Sequence, residues 1–355
     1  MYIKEYDPNQ FIELKEYWLQ LENGKDMTAF QHYGWFENIN NLYFKEHIKK
    51  LFRFWKYFIV FNDDGQPLLI APIQVVKVGL FFKNIGLKKG AYFIGRQGYS
   101  DYLNFIYDDF SDEAVDFLFE YLLKEYKIKN CFFEQILEET QMYQYLVNKY
   151  KYTQIRVACA ALVLPEIFDD YKALLSKSTR QNIRTAINRQ NRDGLTFTHE
   201  ISFDVDDALK EELLSVREER LGKKQKAAIH KSSIYGKLNL LGNNIIKKLF
   251  CAKHNVMNEC YNPWCFLIKN GDEIAGYFWG IADSHKKVYY VILAGVREKY
   301  AWYSPSVSHL YLFLQEQYEA GNKDIIALDF TRGGERYKAD MGGKIKNCWS
   351  VRFKL

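Results

Sequence analysis

The chain has 355 residues, of which 48% are hydrophobic, 17% aromatic and only 6 are proline. Domains usually run about 100 to 200 residues, so two are expected, each apolar enough to bury a core, and a disordered tail is excluded. The net charge of +5, from 49 basic and 44 acidic residues, is a mild bias toward anionic partners and too small to mark a nucleic-acid-binding protein.

In chain order, the first clear element is a hairpin, FIVFNDDGQPLLIAPI at 58–73: two apolar strands around an Asn/Asp/Gly turn. The most apolar stretch, 67–82, is broken by Gln74 and Lys77 and falls short of the roughly 20 apolar residues a spanning helix needs. The amino terminus lacks a basic-then-apolar signal, and the expected location is the cytoplasm. Val115, Leu118, Phe119, Leu122 and Tyr126 share one helical face, which leads into an apolar strand at 131–136.

Pro165 marks the expected seam between a module at 1–164 and a second at 165–355. The second opens with a predicted helix near 166–192, ended by Gly194, followed by a helical region from about 206 to 250. Within it the basic run LGKKQKAAIHKSS (221–233) is expected to be a mobile loop. Cys251, His254, Cys260 and Cys265 gather soft ligands, but without tight Cys-x2-Cys knuckles, and Cys265 opens an apolar run, so no metal site is expected. Six cysteines in all are too sparse for a disulfide framework and read as packing residues.

A second hairpin, CFLIKNGDEIAGYFWGI at 265–281, repeats the design of the first. Strand VYYVILAGV (288–296) then leads to a helix with Ser304 as N-cap, Pro305 in the first turn and Gly321 as its stop. Its face, Val307, Leu310, Tyr311, Leu314 and Tyr318, repeats the earlier one 192 positions on, and it too feeds an apolar strand, IIALDF at 325–330. Hairpin, helix and strand in one order, twice, predict a duplicated α/β module of mixed α+β sheets. The copies differ after the last strand. DFTRGGERYK (329–338) clusters Asp329, Arg332, Gly333, Glu335, Tyr337 and Lys338 at a strand's carboxyl end, where open α/β sheets bind ligands; the first copy has Gln135 opposite Asp329 and no glycines. A strand feeding a helix start at 303–306 also suits an anion. No Walker loop, Gly-x-Ser-x-Gly elbow or His-Glu-x-x-His motif occurs.

The segment YSPSVSHLYLFLQEQYEAGNKDIIALDFTRGGERYKADMGG (303–343) resembles the carboxyl-terminal signature of the CelD/BcsL-type acyltransferases, a GNAT-superfamily branch related to FemAB-like enzymes. The match rests on Tyr303, Ser304, Pro305, Gly321, Asp329, Phe330, Arg332, Gly333, Tyr337 and Lys338 in that order. TAFQHYGWFENI (28–39), GYSDYLNFI (98–106) and LLSKSTRQNIRTAINR (174–189) extend it more weakly. Ser306 stands where the family usually has glycine, and the wider superfamily's glycine-rich coenzyme A loop is absent. The resemblance implies two tandem GNAT-like modules, the first degenerate and acceptor-binding, the second carrying acyl transfer. It implies an N-acyltransferase using acyl-CoA, acetyl-CoA foremost, on an amino-sugar or other surface-polysaccharide precursor, with no metal. Asp329 or Glu335 would then be the base, Tyr337 the acid for the leaving thiolate, and Lys338 or Arg332 a positive charge near phosphate or oxyanion. Tyr303, Ser304, Pro305, Ser306, Arg332 and Gly333 would hold the donor; Trp35, Asp101, Tyr102, Arg180 and Trp264 would line the acceptor cleft. Two alternatives stay open. One is an aminoacyl-tRNA-dependent transferase of FemAB kind, with Arg180, Arg184, Arg189, Arg192 and the lysines of 223–231 tracking phosphates; the other is a non-catalytic module that binds a surface-polymer precursor. The acceptor, the acyl chain and the oligomeric state are not encoded in any motif.

Overall fold

The computed structural model describes residues 1–45, 53–76, 89–95, 100–231, 261–322 and 324–355. These fall into two compact units: Met1–Ala158 with Lys346–Leu355, and Cys159–Ile345.

The first unit contains β1 (Tyr2–Tyr6), α1 (Lys15–Leu21), α2 (Tyr33–Lys45), β2 (Arg53–Phe61), β3 (Pro67–Val76), β4 (Gly90–Phe93), α3 (Asp112–Tyr126), β5 (Asn130–Leu137) and α4 (Gln141–Lys149). β6 (Tyr152–Val163) begins here, and β12 (Lys344–Lys354) returns from the far end of the chain. The strand order is β1-β2-β3-β4-β5-β12. The expected hairpin is β2 and β3, antiparallel, with Gly65 at φ +80° in its turn. Its core is aromatic: Phe93 stacks on Phe133 at 4.3 Å, and Phe353 of β12 meets Phe133 at 5.6 Å and Tyr150 at 4.8 Å.

The second unit takes the end of β6, then α5 (Phe168–Leu174), α6 (Lys177–Arg192), β7 (Phe197–Ser202), α7 (Asp207–Lys231), β8 (Pro263–Asn270), β9 (Glu273–Asp283) and β10 (Val288–Val296). It closes with α8 (Pro305–Glu319), β11 (Ala327–Arg332) and α9 (Arg336–Asp340). Its order, β6-β11-β10-β9-β8-β7, repeats the first unit's pattern. In each, four strands pair antiparallel in succession (β1 to β4, β7 to β10). The fourth pairs parallel with the fifth (β4/β5, β10/β11), and the fifth pairs antiparallel with a sixth (β5/β12, β11/β6). The duplication expected from two hairpins and two helical faces is therefore carried through the hydrogen-bond ladders. The first unit's sixth strand, β12, comes from the carboxyl end of the sequence, whereas the second unit's, β6, directly precedes its other elements.

Two expectations are corrected. The helix near 166–192 is two helices, because Leu175 is extended (φ −79°, ψ 133°) and Ser176 starts α6 afresh by accepting from Thr179 N at 3.0 Å. The basic run at 221–233 is not a loop through residue 231, where α7 ends; Lys, Gln and Ala are strong helix formers, and charge alone does not break a helix. Of the soft-ligand cluster, Cys265 is a buried thiol in β8, while Cys251, His254 and Cys260 lie outside the described residues. Among the described residues no helix is long and apolar enough to cross a membrane.

Candidate active site

The second unit's site is built where two parallel strands part. β10 and β11 are in register at Val288/Ala327, Tyr289/Leu328 and Tyr290/Asp329, and the pairing stops there although β10 runs on to Val296. Both partners are irregular at that level. β10 shifts register against β9 between Val291 and Leu293, and β11 shifts against β6 between Asp329 and Arg332. Gly280 on β9 makes the first bulge possible, since a Cβ there would sit 1.7 Å from Tyr290 O. In β11, Thr331 has φ +52°, a rare state for a β-branched residue. It is held by its N–H donating to Asp329 Oδ1 and its hydroxyl donating to Val291 O, both at 2.8 Å. A side-chain bond thus replaces the ladder as the strands diverge. No residue-pattern reading had singled out Thr331; the left-handed backbone is its only signature, and that is not visible in TRGG.

The predicted residues of 329–338 do come together, in divided roles. Asp329 is buried, and its carboxylate is engaged by Thr331. Lys338 is buried too: its ammonium donates to Arg332 O at 2.7 Å and Gly333 O at 3.3 Å and meets Glu335 Oε2 at 3.0 Å, so it ties down the loop that follows β11. Gly333 turns that loop with φ +120°, and Glu335 is the exposed carboxylate, its side chain 58% accessible. Tyr337 is half-buried on α9, its ring edge-on to Phe330 at 6.4 Å. Arg332 is half-buried.

The start of α8 differs from expectation in one respect. Ser304 does occupy the N-cap, but in the left-handed region (φ +45°, ψ +48°), and its side chain makes no cap bond. The first turn also holds no acidic residue. A helix start of this kind, without a side-chain cap or an acid, suits an anion. The matching helix start in the first unit has the opposite character: Ser111 Oγ accepts from Ala114 N at 3.1 Å, and Asp112 and Glu113 fill the first turn. A cleft of about 580 Å3 beside it is lined by Asp112, Glu139, Tyr145 and Lys149 among others. Behind α8, Gln190 of α6 donates to Tyr303 O at 3.0 Å and Ser308 Oγ at 3.1 Å, fixing the helix start from below. The Tyr303 hydroxyl itself donates to Asp193 at 3.0 Å, which raises its pKa. Pro305 is buried at the first helical position, and Ser306 Oγ would lie 3.4 Å from a Cβ on Gly276.

Of the five residues expected at an acceptor cleft, two belong to the second unit and three to the first. Trp264 is buried in the core, stacked on Tyr289 at 5.0 Å with its indole N–H donating to Tyr290 O at 3.1 Å. Arg180 donates to Lys172 O and Leu175 O at 2.9 and 3.0 Å, closing the carboxyl end of α5. Trp35, Asp101 and Tyr102 belong to the first unit and are all buried, Trp35 donating to Ser100 Oγ at 2.7 Å. There Leu103 N donates to Gln135 O at 3.0 Å, so the segment after β4 occupies the edge of β5 just past its last pair with β4, Tyr92/Phe132. Of the four arginines considered for phosphate tracking, Arg189 stacks on Trp302 at 3.9 Å and Arg192 pairs with Asp193 at 2.7 Å.

Residues 177–339 match the model of the acetyltransferase (GNAT) domain family. The second half of this chain carries a GNAT-type acetyltransferase domain. The GNAT domain thus holds the split strands, the α8 start and the loop from Asp329 to Lys338. Solved structures similar over the whole chain include FemX, at 12% identity, covering 100% of this chain and 98% of that one with a TM-score of 0.50. A conserved protein of unknown function from Bacteroides thetaiotaomicron VPI-5482 is 11% identical, covering 99% of each chain, also at 0.50. A tandem GNAT protein from the clavulanic acid biosynthesis pathway matches at 8% identity over 99% of this chain and 98% of that one, with a TM-score of 0.45. At such identities a likeness speaks to the fold alone, here a mixed α/β one. No curated protein matches the sequence.

Proposed function

We propose that the GNAT domain transfers an acyl group from acyl-CoA, acetyl-CoA foremost, to an amine acceptor. The observation that carries this reading is the pairing of an uncapped, acid-free start of α8 with strands β10 and β11 that part after Tyr290/Asp329. The first offers N–H groups to phosphate; the second offers a slot between backbones for an extended chain. Tyr303 to Ser306 and Arg332 would hold the donor, which supplies the thioester.

In the second unit, Tyr337 on α9 is the proposed proton donor to the leaving thiolate, a role that needs only a weak acid. Glu335, exposed and beside Lys338, is the carboxylate in reach of an incoming ammonium proton. Asp329 and Lys338 are proposed as positioning residues, a reading supported by the bond of Asp329 to Thr331 N and those of Lys338 to the loop carbonyls at 331–333. No cysteine nucleophile is needed, and the buried thiol of Cys265, its pKa pushed up by burial, is unsuited to be one.

A thermal-shift series against acetyl-CoA, longer acyl-CoA species and charged tRNA tests the donor, since a ligand of the folded state raises its melting temperature. Stabilisation by an acyl-CoA is expected, and a response to charged tRNA alone would replace this reading. Tyr337→Phe should lower turnover by roughly 10² while leaving donor binding in place; unchanged turnover removes Tyr337 from the acid's role.

A further inference from the structure

α7 lies across β9 and β10 and presents buried Leu213 and Val216, with Arg217 next in sequence. On β9, Tyr277 and Trp279 are two positions apart and so share a face; they pair with Gly295 and Leu293 of β10. Both side chains are fully buried. Gly295 makes room for the first, because a Cβ there would sit 2.5 Å from Tyr277 Cε1 and 3.2 Å from Val216 Cγ1. Trp279 pairs with the first residue beyond the β10 bulge, so the cluster borders the strand that forms the acyl-transfer slot.

Three polar atoms of this layer, Arg217 Nη1, Tyr277 OH and Trp279 Nε1, are each buried without a hydrogen-bond partner among the described residues. Arg217 and Tyr277 are close enough to act on each other electrostatically. Glu212 and Glu219 of α7 and Glu273 of β9 form ion pairs with Arg297, at 3.2, 3.7 and 3.3 Å. A guanidinium N–H, an indole N–H and a phenol that can donate are left without an acceptor among the described residues. Folded proteins rarely leave such groups unmet, and a cluster with two donor-only groups, one of them cationic, and a hydroxyl that can donate is matched by a group that accepts, best an anionic one.

We propose that Arg217, Tyr277 and Trp279 recognise an anionic group, carboxylate or phosphate, carried by the acyl acceptor. The inference rests on the acyl-transfer reading and narrows it: the acceptor is an amine that also bears an acid, as in an amino acid, a peptide terminus or a phosphorylated amino sugar. A neutral amino sugar would leave the three donors unmet.

The full-length protein is titrated in a thermal-shift experiment with N-acetylglycine, with its neutral analogue N-acetylglycinamide, and with inorganic phosphate. N-acetylglycine or phosphate should give a saturable rise in the wild type, telling a carboxylate acceptor from a phosphorylated one, and N-acetylglycinamide none. Arg217→Gln and Tyr277→Phe should weaken the responding anion at least tenfold while keeping the acyl-CoA response. Without ligand, Tyr277→Phe should be at least as stable as the wild type, because it removes an unmet hydroxyl. No saturable rise with either anion, an equal rise in the wild type and both variants, or a destabilised Tyr277→Phe overturns the proposal. Loss of the acyl-CoA response in the wild type would count against acyl transfer and leave the anion result standing.

Discussion

Thr331, Asp329 and Lys338 are read differently once their partners are known. In the sequence, Asp329 and Lys338 look like catalytic charge; in the fold, one carboxylate oxygen holds the backbone of Thr331, and the ammonium is taken up by the loop carbonyls and Glu335. Glu335 and Tyr337 are more exposed. A second buried group has a measurable consequence. His309 of α8 meets His199 Nδ1 at 3.1 Å and Gln190 Oε1 at 3.3 Å, and His199 in turn meets Glu316 at 3.0 Å. Burial first, and then the neighbouring His199, lower the His309 pKa from 6.5 to about 4. The unfolded chain therefore binds a proton that the folded chain refuses between those values, so this contribution to stability is full above pH 6.5 and lost as pH falls toward 4. It amounts to as much as about 3 kcal/mol. Urea midpoints should fall over that window, and His309→Gln should flatten the slope; an unchanged slope would place the acid sensitivity elsewhere.

The two matching helices show how one element takes opposite tasks through its first turn. α3 is closed by Ser111 and carries Asp112 and Glu113, which stabilise a helix and repel phosphate. α8 has a left-handed Ser304 without a cap bond and no acid, a weaker helix start that leaves its N–H groups open. Ser306→Glu should make α8 resemble α3. It is expected to raise stability by roughly 0.3 to 1 kcal/mol through the dipole and to raise the acyl-CoA KM by about tenfold, near 1.4 kcal/mol. A stability gain without a KM change would remove the α8 start from donor binding. The bulge in β10 is likewise a property of an element pair. Gly280→Ala would drive a methyl into Tyr290 O, for which a loss of about 1 to 3 kcal/mol is expected, with turnover lost beyond what the stability change explains. Melting and kinetics of the purified variant check both parts.

At the scale of the molecule, the first unit completes its sheet with a strand from the far end of the sequence. β12 pairs with β5 from Lys354/Asn130 to Cys348/Leu137, and buries Cys348, Val351 and Phe353 in the first unit. Truncation after Ile345 should therefore strip protection from the first unit. Hydrogen exchange is expected to rise in the peptides of 58–73 and to stay low in those of 265–281. Equal exposure of both hairpins would contradict the division into units.

The sequence by itself determined what depends on near neighbours. The hairpins, the faces of α3 and α8 and their repeat at a constant spacing follow from strand and helix periods and from turn residues with few alternatives. The cluster after β11 was legible for the same reason, being contiguous. What the tertiary structure decided concerns choices among distant partners. Whether Trp264 and Trp35 line a cleft or fill a core is set by what packs on them, not by their neighbours in sequence. The pairing of β12 with β5 and of β6 with β11 is likewise a competition among similar apolar strands, resolved only when each sheet edge is filled. The unmet donors of Arg217, Tyr277 and Trp279 are the extreme case. Each is an ordinary helix or strand residue in the sequence, and they become a candidate recognition site because folding brings them into one layer without an acceptor among the described residues.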